Sequence, residues 1–221
     1  MNFFKKLFNK NYKFNHLRRK ALAKLNDDGY RYLFDDTMTD EWVCLDFEMT
    51  GIDPKRDQIL SVGAVKIVKD QGFFTLDMST SLSMICRTPI MPPPASIVVH
   101  GIRPMDLEAG VDYDTILKAL LPLVGSRPIV GFCPQMDKAF LNVQVKNFLG
   151  TELINPCIDV SIMEKNHRQK LMPNPDMIAE QKHLTTLLAE YNIPLLPAHD
   201  ALNDAIMTAM LFCKLMNLTK I

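Results

Sequence analysis

The segment Trp42-Val-Cys-Leu-Asp-Phe-Glu48 is an apolar, β-forming run ended by Thr50-Gly51, and it carries two carboxylates, Asp46 and Glu48. Such a run reads as a buried strand. Side chains two apart on a strand leave the same face, so both acids point at one spot. No Lys or Arg stands between Asp40 and Pro54 to offset them. Two like charges on a core strand repel, and they are costly to desolvate without a positive partner. A bound divalent cation would answer that problem. The plainer alternative is that both acids lie at the strand's solvent end and cap neighbouring loops.

The segments after this run set the fold class. A Gly-Ile-Asp-Pro turn leads to a second strand over 58–68, and a third strand-like stretch over 72–87 bends near Ser79-Thr80-Ser81. Three consecutive strands with short connections predict an antiparallel meander. Beyond them, helices over 114–124, 138–149, 183–191 and 200–217 alternate with short strands at 128–132 and 157–159. The expectation is an α/β chain: a mixed β-sheet, antiparallel meander plus parallel strands, flanked by α-helices. Met91-Pro-Pro-Pro94 is too short for an interdomain linker and reads as a rigid loop.

At 221 residues, 48% apolar and 23% charged, the chain has the composition of a soluble globular protein, and no apolar run is long enough for a membrane span. Five cysteines, odd in number and without a C-x-x-C pair, predict buried free thiols and a reducing, cytoplasmic setting. The net charge of zero hides an asymmetry. Residues 1–35 hold nine Lys/Arg against three Asp/Glu, leaving a body with an acidic excess of six. A basic arm on an acidic body suits nucleic acid, an anionic surface, or the body itself. We therefore divide the chain into a basic helical N-terminal extension, residues 1–40, and a main domain, 41–221. In the extension Phe3, Phe4, Leu7, Phe8, Leu17, Ala21 and Leu25 fall near one helix side, with a break expected around Asn9-Lys-Asn-Tyr. No apolar core follows the N-terminal charges, so a secretory signal is not expected.

Three further pieces extend the opening pair. His199-Asp-Ala-Leu-Asn-Asp204 opens the last helix, with His199 at or just before its N-terminus and Asp204 on it. Asp137 begins the helix after the 128–132 strand, and His100-Gly-Ile102 closes a short apolar segment before Pro104. Each has a bland reading: a helix N-terminal acid complements the dipole, and a histidine beside a turn is an ordinary surface residue. In this order and spacing they resemble the DEDDh 3′→5′ exonucleases, which include bacterial proofreading subunits, oligoribonuclease and ribonuclease T. Asp46 and Glu48 match the first motif, followed by Thr50-Gly51; Asp137 matches the second; His199 and Asp204 match the third. The likeness covers 41–217.

The resemblance implies a ribonuclease H-like exonuclease domain over 41–221. It implies two divalent cations, Mg²⁺ or Mn²⁺, held by Asp46, Glu48, Asp137 and Asp204, with Asp46 bridging both and His199 accepting the proton of the attacking water. Hard cations prefer carboxylate oxygens, and an ion pair about 4 Å apart can stabilise both the attacking and the leaving oxygen. Met49, Thr50 and His100 match positions that hold the terminal nucleotide. The implied substrate is the 3′ end of single-stranded DNA or RNA, released as nucleoside 5′-monophosphates, with a polymerase or other protein as candidate partner. The same resemblance admits a non-catalytic nucleic-acid-binding or polymerase-associated module. Phe132-Cys133 stand where His-Asn is frequent, and Met136 stands where an aromatic residue is common before the second-motif aspartate. Asp159 is expected to be structural, a strand end or helix cap.

Overall fold

The computed structural model describes residues 11–38, 40–89, 97, 98, 100–172 and 179–218. Phe3, Phe4, Leu7, Phe8 and the 91–94 loop lie outside these. Five strands form one sheet: β1 (Glu41–Met49), β2 (Ile59–Asp70), β3 (Phe73–Ile85), β4 (Ile129–Gly131) and β5 (Cys157–Asp159). Their order is β3-β2-β1-β4-β5, antiparallel from β3 to β1 and parallel from β1 to β5. The expected meander and the expected mixed sheet are both present. Among the described residues the helices include α1 (Asn11–Leu22), α2 (Pro104–Glu108), α3 (Tyr113–Val124), α4 (Gln135–Leu149), α5 (Val160–Leu171), α6 (Leu184–Glu190) and α7 (Ala201–Leu218), with a 3-10 turn at Asp28–Phe34.

Strand alternation divides the core in two. Val43, Leu45 and Phe47 of β1 pack on one face with residues of α3 and α4, including Leu117, Leu121, Phe140 and Val145. Trp42 and Cys44 face the other way, against Met207, Leu211 and Phe212 of α7 and Leu187 and Leu188 of α6. Asp46 and Glu48 continue the Trp42–Cys44 register, so the strand offers α7 an apolar end and an acidic end. Apolar burial on both faces makes β1 the centre of the molecule.

Helix α7 lies close to the sheet because both surfaces are small where they meet. Ala201, Ala205, Thr208 and Ala209 are buried on its inner side. A Cβ on Gly63 of β2 would stand 2.1 Å from the Ala201 carbonyl, so only glycine fits there. Gly63 is the β2 partner of Asp46, which puts the first turn of α7 directly over the acidic end of β1. The far end is tied down separately. Trp42, Phe74 and Phe212 have ring centroids 5.0–6.0 Å apart, and the Asn217 amide both donates to the Phe74 carbonyl and accepts from its N–H, each at 3.0 Å.

The bend expected near Ser79-Thr80-Ser81 is a bulge. Ala64 pairs with Leu82 but Lys66 pairs with Asp77, and the Thr80 hydroxyl fills the gap by accepting from the Lys66 N–H at 3.0 Å. The expected break around Asn9-Lys-Asn-Tyr lies partly outside the described residues, and helix α1 spans Asn11–Leu22. It seats Ala21 in the core, with Phe14, Arg18, Leu22 and Leu25 half-buried around it; Leu17 lies on the flank of that stripe and is exposed. Helix α5 was not expected. Its sequence is largely polar and buries only Val160, Ser161 and Glu164, too little periodic signal to mark a helix. Asp159 caps it by accepting from the Ser161 and Ile162 N–H groups, the structural role expected of that residue.

Replacing Gly63 with alanine should lift α7 from the sheet. We expect a loss of about 1–3 kcal/mol in denaturant unfolding. An unchanged unfolding midpoint would show that α7 can yield at no expense.

Candidate active site

Each acid reaches the site from a different element. Asp46 and Glu48 come from β1, and β4 ends at Gly131, before it can cover the last residues of that strand. Asp137, in the first turn of α4, takes the open edge: its Oδ1 accepts from the Phe47 N–H at 3.1 Å, and only 5% of the residue remains exposed. Asp204, in the first turn of α7, accepts from the His199 N–H at 3.0 Å. His199 stands in the left-handed region at φ 62°, in an exposed loop. Donor atoms of Glu48, His199 and Asp204 all come within 4.8 Å of one another.

The charges conspire against ionisation. Burial, then Asp137, Asp204, Glu48 and Asp200, hold the Asp46 carboxyl well above the usual carboxylate range. Burial, then Asp204, Asp200 and Asp137, push Glu48 to about 7. Burial pushes Asp137 to about 7 against the N–H groups that stabilise its anion, and burial raises Asp204 despite His199. Among the described residues, no Lys or Arg lowers any of these four pKa values. A group of buried oxygens that repel and lack a counterion suits a hard divalent cation, so the donor set fits such an ion.

Asp200 is a fifth acid that sequence reasoning passed over. It accepts from the Asn203 N–H at 2.9 Å in the manner of an N-cap, and its charge reaches three of the four other carboxyls. An Asp just before a periodic apolar run was the available signal. Gly63 was also missed, although a lone glycine inside a strand pattern often marks a close backbone approach.

The residues matched to nucleotide contacts behave differently from one another. Met49 is half-buried and pairs with Ile59 across a register shift that ends the β1–β2 ladder. Thr50 is turned into its own loop: its hydroxyl donates to Asp57 Oδ1 and accepts from the Gln58 N–H, each at 3.0 Å. His100 accepts from the Ile102 N–H through Nδ1 at 3.1 Å, while its Nε2 is buried without a protein partner. Burial and then His199 lower the His100 pKa. Cys133, where asparagine is frequent, has φ 62°, a backbone that Asn tolerates better than most residues.

Comparison with known proteins matches the span that holds these residues. The family model RNase_T, exonuclease, matches residues 43–212. The PolC-type DNA polymerase III of Thermotoga maritima is 29% identical over 200 residues, covering 90% of this chain and 13% of that protein. The DNA polymerase III subunit epsilon of Aquifex aeolicus is 24% identical, covering 82% of this chain and 83% of the subunit. Escherichia coli exonuclease I in complex with a dT13 oligonucleotide superposes with a TM-score of 0.64 at 18% identity, covering 79% of this chain and 40% of that one. The chain thus spans about an eighth of the PolC-type relatives and most of the epsilon subunit. The mixed sheet with flanking helices is the ribonuclease H-like exonuclease fold. Among the described residues no helix is long and apolar enough to cross a membrane.

The raised carboxyls set the pH dependence of the metal-free protein. The folded state keeps protons on Glu48 and Asp137 up to about 7, whereas ordinary carboxyls of the unfolded chain release theirs near about 4. Between those values the folded state binds more protons, so stability falls as pH rises through this window and levels off above it. Melting curves in EDTA should show Tm decreasing from about pH 5 to about pH 8, and Mg²⁺ or Mn²⁺ should raise Tm most at the alkaline end. A Tm indifferent to both cations at alkaline pH would speak against a metal site.

Proposed function

The chain belongs to the DEDDh exonuclease family, and on that premise we propose that it hydrolyses phosphodiester bonds from the 3′ end of single-stranded nucleic acid, releasing nucleoside 5′-monophosphates. The observation that carries the reading is the gathering of Glu48, His199 and Asp204 within 4.8 Å, beside Asp46 and Asp137, which no Lys or Arg among the described residues offsets. Asp46, Glu48, Asp137 and Asp204 would hold two divalent cations, Mg²⁺ or Mn²⁺. When bound, these supply Lewis-acid stabilisation of the charge that builds on the attacking and leaving oxygens.

The chain's own residues do the rest. His199, exposed at the mouth of the acid cluster, accepts the proton of the attacking water, a role suited to an imidazole. The buried, unpaired Nε2 of His100 is free to meet a polar atom of the terminal nucleotide. Met49 lines the same end of β1, while Thr50 holds the loop that follows it rather than offering its hydroxyl. Contacts through sugar, phosphate and one histidine face give little base selectivity. The oligonucleotide in exonuclease I supports a single strand as substrate, and the polymerase relatives make a polymerase a candidate partner.

Incubation with 5′-labelled DNA and RNA oligonucleotides in Mg²⁺ or Mn²⁺ should give stepwise ladders shortened from the 3′ end. Absence of trimming on both substrates with both metals would defeat the proposal. His199→Ala should lower kcat about 10²–10⁴-fold, and Asp46→Ala should leave no measurable trimming.

A further inference from the structure

The loop that carries His199 has almost no packing. Pro197, Ala198, His199 and Asp200 are all exposed, between half-buried Leu196 and buried Ala201. A left-handed backbone at a histidine is an uncommon conformation and persists only when its surroundings impose it. Hydrogen bonds from the first turns of α7 are what impose it. The His199 N–H donates to Asp204 Oδ2 at 3.0 Å, and the Leu196 N–H points to Met207 Sδ at 3.3 Å. The Asp204 N–H donates to the Asp200 carbonyl at 2.9 Å, and Asn203 supplies two more ties. Its main-chain N–H donates to Asp200 Oδ1 at 2.9 Å, and its side-chain Nδ2 donates to the Pro197 carbonyl at 3.0 Å.

The Asn203 side chain thus grips the loop two residues before His199, from the helical position next to Asp204. Of these ties it alone joins helix side chain to loop main chain without using a residue assigned to the chemistry or a weak sulfur acceptor. We propose that Asn203 is a positioning residue: its amide, clasping the Pro197 carbonyl, holds the His199 imidazole at the mouth of the carboxylate cluster. This rests on His199 being the general base. Without the clasp, Pro197 to Asp200 would sample other conformations, and His199 would spend only a fraction of its time in reach of the attacking water. The clasp itself bonds none of the metal-holding carboxylates, and Asp204 stays anchored on the first turn of α7.

The test is a double-mutant cycle on the full chain, with trimming of a labelled oligonucleotide followed under saturating Mn²⁺. Asn203→Ala should lower kcat about 10–100-fold, with KM, Tm and the half-saturating Mn²⁺ concentration unchanged. Asn203→Gln keeps the amide donor and should recover part of the loss. In a His199→Ala background, Asn203→Ala should change the residual rate by less than about twofold, because its effect passes through the missing imidazole. The inference is overturned if Asn203→Ala keeps wild-type kcat, loses the same factor without His199, or moves the Mn²⁺ requirement. Failure of the wild-type chain to trim would strike the exonuclease reading instead, a distinct outcome.

Discussion

The structure depends on one close contact, α7 resting on Gly63. Without a Cβ there, the Ala201 backbone settles onto β2 beside the partner of Asp46, and the acid end of β1 gains a lid that carries Asp204. The aromatic cluster of Trp42, Phe74 and Phe212 fixes the other end of the same helix. An 18-residue helix is about 27 Å long, so anchors at both ends set its direction as well as its position. The site geometry follows from packing that contains no catalytic residue.

That packing concentrates negative charge. Five carboxyls converge where β1 emerges, and burial raises the pKa values of Asp46, Glu48, Asp137 and Asp204. A fold optimised for stability alone would have paired or removed them; sites that violate this consistency are where function is expected. The described part of the basic arm, from Asn11 on, packs elsewhere. Helix α1 continues into a turn where the Asn26 N–H donates to the Leu149 carbonyl, at the C-terminal end of α4. Asp137 lies at the opposite end of that helix, about 18 Å away. Within the extension Arg18 pairs with Asp35 and Asp36, so part of its charge is answered locally.

Legibility in the sequence followed the strength of local patterns. The apolar, β-forming runs of β1 and β2 and the turns between the strands announced the meander, and the bend at Ser79-Thr80-Ser81 was visible as polar residues in a strand-like stretch. Helix α5 was invisible because it buries one short stripe and is otherwise polar. Cys133 gave no sign of its left-handed backbone, because a cysteine there looks like any other apolar residue. Thr50 carried a family expectation of substrate contact, but Asp57, seven residues on, engages its hydroxyl; that bond belongs to the loop's closed shape and not to any motif.

By itself the sequence determined that Asp46 and Glu48 share a face, that Asp137 and Asp204 open helices, and that His199 precedes one of them. These are consequences of strand and helix periodicity, which act over a few residues. Only the tertiary structure decided that Glu48, His199 and Asp204 meet within 4.8 Å, that Asp137 seals the edge of β1 at Phe47, and that Asp200 and Asn203 brace the histidine loop. Those placements join segments up to about 150 residues apart in sequence. They depend on a missing Cβ at Gly63 and on two apolar faces closing at once, neither of which any local pattern encodes.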